Sequence, residues 1–130
     1  MLQRIKKLLE LNAVLLAIIA TITITILSLT KIPDLSLGFK IKSSDKYLHT
    51  IAYFVLSSIW YFALQKKIKN RVFKYTLIAS IILFGILLEI LQGGITNYRT
   101  GDFYDVVANT TGIILASILF NRLLKWFNTI

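Results

Sequence analysis

His49, the only histidine of the chain, stands four residues after Asp45 and four before Tyr53, with Ser57 four further on, so on a helix all four share one face. Imidazole gives or takes a proton near neutral pH, which suits His49 to general acid or base work, oriented by Asp45 one turn away or by a carboxylate from another segment. Two further stripes share this character. Gly85, Glu89 and Gln92 fall on one face, and Asp102, Asp105, Asn109, Gly112 and Ala116 follow helical spacing, polar first and small afterwards. Catalytic work is expected of His49, Asp45, Glu89 and Asp105. Substrate contacts are expected of Arg99, whose planar fork suits a phosphate or carboxylate, and of Lys46, Gln92, Asp102, Asn109 and Tyr53. The oxygens of Glu89, Asp105 and Asn109 would suit a hard divalent cation, Mg²⁺, Ca²⁺ or Mn²⁺, rather than structural zinc.

Each residue also has a structural reading. Asp45 and Asp102 can cap helix N-termini, with Asp105 in a first turn favoured by the helix dipole. Gly93-Gly94 reads as a helix stop, and Gln92 and Asn109 as interhelical hydrogen-bond glue. Trp60, Tyr61, Trp126 and Phe127 read as interfacial anchors. Several motifs are absent: there is no Walker loop, no dinucleotide fingerprint, no H-E-x-x-H and no G-x-S-x-G. Ser43-Ser44-Asp45-Lys46 matches S-x-x-K in a chain too small for a penicillin-binding fold, and Asn109-Thr110-Thr111 is a glycosylation sequon inside a helix, so neither carries weight. Without cysteine there is no disulfide framework and no thiolate nucleophile.

The elements that must position these residues follow from composition. Of the 130 residues 56% are hydrophobic and only 16% charged, with a mean hydropathy of +0.72, which argues against a soluble globule. Four stretches meet the length of a bilayer span: 11–30, 47–64, 73–92 and 103–120. The first is longer than the apolar core of a signal peptide and no small-residue cleavage site follows it. The alternation from Thr21 to Ile26 has a strand's period, but an unpaired strand in lipid leaves its backbone unsatisfied, so a helix is expected. These spans leave little room for a soluble domain, and the expected fold is all-α: one polytopic domain over 1–130 with four transmembrane helices.

The net charge of +9 would ordinarily suggest nucleic acid, but in a chain this apolar it reports topology. Ten basic residues (Arg4, Lys6, Lys7, Lys66, Lys67, Lys69, Arg71, Lys74, Arg122 and Lys125) fall on one side, against Lys31, Lys40, Lys42, Lys46 and Arg99 on the other. The excess places both termini in the cytoplasm and turns loops 31–46 and 93–102 outward. Five of the six acids (Asp34, Asp45, Glu89, Asp102, Asp105) then lie beside His49 at the outer face, and only Glu10 at the inner. A lone Glu89 one turn inside its helix would be costly, so it should be protonated, paired with Arg99 or Lys46, or bound to a cation.

Asp45-Lys46-x-x-His49, Glu89-x-x-Gln92, and Arg99 followed by Asp102, Asp105, Asn109 and Gly112, with Ser28-Leu29 and Pro33 ahead of them, together resemble the VanZ-like family of small membrane proteins. That family takes its name from a member associated with resistance to the glycopeptide teicoplanin. The resemblance implies a four-helix membrane domain whose polar motifs line one outward-facing, extracytoplasmic site in the cell membrane. The expected function is action on, or binding of, a cell-envelope or lipid-linked substrate, as a hydrolase or transferase of envelope lipids or cell-wall precursors, with a link to glycopeptide resistance implied by the family name. Membrane lipids, a lipid-linked precursor or a glycopeptide are the expected partners, and nucleic acid is not. The competing expectation is a non-catalytic accessory or binding protein, or a small ion or proton conduit. Polar residues thin out below Ser57 and Asn109, leaving Ser80 and Ser117 further in, which favours a closed-bottom site over a conduit.

Overall fold

A computed structural model describes residues 1–30, 44–95 and 101–130, with Ser44 and Asp45 described by their backbone alone. The described residues form four α-helices and no strand: α1 (Leu2–Leu29), α2 (Ser44–Ala63), α3 (Arg71–Ile95) and α4 (Phe103–Thr129). Thr21, Thr23 and Thr25 lie within α1, each hydroxyl donating to the carbonyl four residues back, so the alternating stretch is helical. The basic start expected before the first span is part of the same helix, which begins at Leu2 rather than residue 11. Likewise, α4 continues past residue 120 to Thr129.

Three of these helices, α1, α3 and α4, are long and apolar enough to cross a membrane. Their outward faces expose Ile18, Ile22, Leu83, Leu87 and Ile118, a distribution that water does not tolerate and lipid does. α2 is not among the three. It is the shortest helix, and its sequence devotes Lys46, His49, Thr50, Tyr53 and Ser57 to faces turned toward its neighbours.

α2 and α4 form the central seam, the most extensive helix pairing in the bundle, with α1 against α2 and α3 against α4. Gly112 makes the seam possible. A Cβ there would fall on the carbonyl oxygen of Thr50 and lie 2.9 Å from the backbone nitrogen of Phe54, so the two backbones touch. Below this point Tyr53, Leu56, Tyr61, Ile81, Ile113, Ala116 and Phe120 build the core, with Tyr61 and Phe120 edge to face at 5.7 Å. Tyr61, expected as an interfacial anchor, is buried there and its hydroxyl donates to the Ile113 carbonyl. Its neighbour Trp60 donates from Nε1 to Thr21 Oγ1 and ties α2 to α1. The short connection before α3 ends at Asn70, whose Oδ1 accepts from the backbone nitrogens of Val72 and Phe73 and caps the helix.

Gly93-Gly94 does not stop α3, which runs on to Ile95. A Cβ on Gly93 would lie 2.9 Å from the Gly101 nitrogen, so that glycine serves close approach between α3 and the start of α4. Because the helix is longer, Glu89 lies six residues from its end, about 9 Å down the axis instead of one turn.

Candidate functional site

The helix ends opposite the basic loop converge: α2 and α4 begin where α1 and α3 finish. Asp102 caps α4, its side chain accepting from the Tyr104 backbone N–H at 2.9 Å. One turn on, Asp105 occupies the first turn as its dipole favours, but it is also buried, 6% exposed, and faces α2. From α2, the Lys46 ammonium reaches across to both, donating to Asp102 Oδ2 at 2.7 Å and to Asp105 Oδ1. The pair acts in both directions. The hydrogen bond from Lys46, helped by the Tyr104 N–H, holds Asp102 below the ordinary carboxylate range, and the two aspartates push Lys46 above the ordinary lysine range.

His49, one turn further along α2, sits among three helices. Its Nδ1 is 3.0 Å from Asn109 Oδ1 and 3.9 Å from Glu89 Oε1, while Nε2 is 3.7 Å from Asp105 Oδ2. An amide oxygen only accepts, so with this assignment of the Asn109 amide Nδ1 carries a proton and donates to Oδ1, while Nε2 faces the Asp105 carboxylate. Atoms of His49, Glu89 and Asp105 that can ligate all lie within 4.8 Å of one another. With His49 held by Asn109, as metal-ligating histidines are held by an outer hydrogen bond, the arrangement can accommodate one divalent cation.

Glu89 is 4% exposed, and its Oε2 accepts from the Asp102 backbone N–H at 3.4 Å. The backbone at this point is also tightly set: a Cβ on Gly101 would stand 2.7 Å from the Glu89 carbonyl oxygen. Beside Glu89 and Asp102, an open cleft of about 360 Å³ runs between α3 and α4, walled by Ile86, Ile90, Phe103 and Val106. It presents carboxylates next to an apolar wall, the geometry that suits an amphipathic ligand. On the α2 side Tyr53 is buried against Gly85, where a Cβ would meet its ring at 3.1 Å.

Of the residues expected at the site, Lys46, His49, Tyr53, Glu89, Asp102, Asp105 and Asn109 gather at this end. Lys46 pairs with Asp102 and Asp105, whereas Glu89 faces His49. Gln92 is buried beside them and its amide donates to the Ser28 carbonyl, fastening α3 to α1 as interhelical glue. Asn109 was expected among the oxygen ligands, but its oxygen is turned to His49, which takes its place in the candidate ligand set. Asp45 lies in the first turn of α2, its side chain outside the described atoms, and Arg99 lies outside the described residues. Two participants are new. Thr50 Oγ1 is within hydrogen-bond distance of the Lys46 and Ala108 carbonyls, at 3.0 and 3.2 Å, bracing the seam beside His49, and Gly101 sets the backbone of Glu89. A threonine or glycine has no chemistry that singles it out in a sequence, so neither could be recognised before the helices were placed.

The sequence model of the VanZ/LLP1 family matches residues 3–125. The chain belongs to the VanZ/LLP1 family. The match takes in all of the polar residues just described, so the cluster of this VanZ/LLP1 chain lies wholly within the family domain. A Schizosaccharomyces pombe protein named "Uncharacterized protein C11E3.10" is 32% identical over 76 residues. That stretch covers 58% of this chain and 46% of the yeast protein, so the chain spans less than half the length of that relative. No solved structure matches the chain.

Proposed function

We propose that this VanZ/LLP1 chain is a membrane hydrolase or transferase that uses a divalent cation held by His49, Glu89 and Asp105 to act on the phosphate-bearing head of a lipid-linked envelope precursor. The observation that carries this reading is the approach of those three side chains from α2, α3 and α4, supported by an orienting amide on the imidazole. Such a cation would polarise a phosphoryl oxygen and lower the pKa of a bound water. Arg99, adjacent in sequence, adds a guanidinium suited to the same phosphate. The buried Nδ2 of Asn109, with no partner among the described residues, is a donor that a substrate oxygen would satisfy. The lipid tail of the substrate would leave along the apolar wall of the α3–α4 cleft.

A conduit would need polar groups through the full depth of the bundle, whereas Tyr53, Leu56, Ile113 and Ala116 close it beneath the site. In this reading all four helices span the membrane, both termini are cytoplasmic and the site opens outward. A role in glycopeptide resistance would follow if the precursor consumed or altered were one a glycopeptide recognises.

The test is turnover by purified protein of a polyprenyl-diphosphate-linked sugar, followed by released phosphate or sugar phosphate, with and without Mg²⁺ or Mn²⁺. Cation-dependent release that His49→Ala, Glu89→Gln and Asp105→Asn each abolish supports the enzyme. Cation-dependent binding without release supports a receptor instead. If all three variants, present at normal levels, keep the cellular phenotype, no functional site exists here. Orientation is checked separately: since the chain has no native cysteine, Gly94→Cys should label with an impermeant reagent from outside and Lys67→Cys should not. The reverse pattern would place the site in the cytoplasm.

A further inference from the structure

A second cavity among the described residues lies away from the polar cluster. It is an open groove of about 570 Å³ running down α2 toward the basic end, between α1 and α4. α1 and α4 each pack on α2 without extensive contact with one another, and the space between them is left unfilled. Its walls include Ala13 and Leu16 of α1, Val55 and Phe62 of α2, and Phe120 and Leu124 of α4. The lining has no charged side chain, and the hydroxyl of Ser58 is already donated to the Phe54 carbonyl. A polar ligand would find no partner along this groove, whereas a hydrocarbon chain would. The volume is within the ordinary range for ligand sites, roughly 300–1,000 Å³.

The mouth has a different character. Lys6, half-buried, places its Nζ 5.2 Å from the centre of the Phe127 ring, and Phe127 itself packs on Phe62 at the groove's end. Phe127 lines the groove and Lys6 stands against its ring, so the ammonium lies beside the groove's mouth near the start of α1. We infer that this groove is a binding site for an anionic phospholipid, one acyl chain lying between α1 and α4 against α2 and the phosphate meeting Lys6. Charge complementarity at the mouth selects the head group, and the apolar walls select the tail. The site is independent of the cation cluster and of any reaction there.

The experiment uses the purified, delipidated full chain and native mass spectrometry, titrating palmitoyl-oleoyl phosphatidylglycerol against phosphatidylcholine with the same tails. One phosphatidylglycerol should bind about fivefold more tightly than phosphatidylcholine, the preference expected from one lysine at a membrane surface. Lys6→Gln should bring the two lipids to equal affinity while keeping the tail bound. Val55→Trp and Leu123→Trp, which fill the groove from two exposed positions, should each remove the adduct with helix content and melting unchanged. Equal binding of both lipids, or an adduct that survives Lys6→Gln with its preference intact and both tryptophans, overturns the inference. It is also overturned if the tryptophans split a dimer and leave lipid binding alone, since the occupant would then be a second copy of the chain.

Discussion

The two ends of this bundle solve opposite problems. At one end Lys46, His49, Glu89, Asp102, Asp105 and Asn109 are brought within hydrogen-bonding or near-bonding distance inside a membrane-sized bundle. At the other, Phe62, Phe120 and Phe127 border a groove with no charged lining, and Lys6 stands against the Phe127 ring. Close packing accompanies the charged end, where glycines let backbones touch, and loose packing accompanies the apolar end. The physical reason is the solvent each end can recruit. Charges in a low-dielectric bundle stay only if their partners are fixed to within a fraction of an ångström. An apolar gap needs no such accuracy, because lipid tails are as apolar as the walls and fill it at little cost.

Substitutions that break this contrast should differ in size. The largest effect is expected at the seam: Gly112→Leu would drive a side chain into the Thr50 carbonyl and the Phe54 backbone, separating α2 from α4. Overpacking of this kind costs about 1–3 kcal/mol or more, and here both colliding groups are backbone, so monodisperse protein should be lost in size-exclusion chromatography. Gly94→Ala, with nothing near the added methyl, should purify and melt like the parent.

Next come the cluster residues. His49→Ala, Glu89→Gln and Asp105→Asn should each lower turnover about 10²–10⁴-fold, as loss of a proton-transfer group or ligand does, while melting temperatures stay close to the parent or rise for the two amide variants. Chelation should remove activity and Mn²⁺ or Mg²⁺ restore it. A drop in melting that parallels the loss of activity would make the cluster a structural network.

Gly101→Ala should be smaller and more selective. Its methyl meets the Glu89 carbonyl oxygen, so the carboxylate is displaced without being removed. A shift of about 1 Å at a reacting group can cost on the order of 10²-fold, and the loss should appear in kcat, or as a raised requirement for cation, with the helix content intact.

The smallest effect concerns the Lys46–Asp102 pair. Asp102 has a folded pKa lowered below its unfolded value, so its contribution is present above about pH 4 and is lost as pH falls through the folded pKa. Lys46 has a raised pKa, and its contribution holds until pH climbs past the ordinary lysine range, above about 10.4. Melting temperature should therefore be flat in this pair between pH 5 and 9 and decline at lower pH, and Asp102→Asn should flatten the acid limb. Because the Asp102 side chain is 40% exposed, solvent screens the pair and the shift in melting should be slight.

Much of this was legible because each helix writes its own periodicity. His49, Tyr53 and Ser57 could be placed on one stripe, and Gly112 and Ala116 on a small-residue face, from spacing alone. Asp102 as a cap and Asp105 in the first turn were equally plain. The reading failed where a residue serves two masters. Gly93 looked like a stop signal, since a glycine that ends a helix and one that admits a neighbouring backbone are the same residue in a sequence. Tyr61 looked like an interfacial anchor, because depth along a helix does not say which way a ring points.

The sequence by itself determined the four helices of the described residues, the grouping of Glu89, Asp102 and Asp105 with the only histidine at one end, and the small residues that permit close helix contact. These depend on local hydropathy and helical period, which act within one segment. The tertiary structure alone decided which polar side chains meet: Lys46 with Asp102 and Asp105, His49 between Glu89, Asp105 and Asn109. It also decided that α1 and α4 should part over α2 and leave a groove. Both outcomes depend on the rotation and spacing of one helix against another, set by where Gly112, Gly101 and Gly93 let backbones approach, and no single segment contains that information.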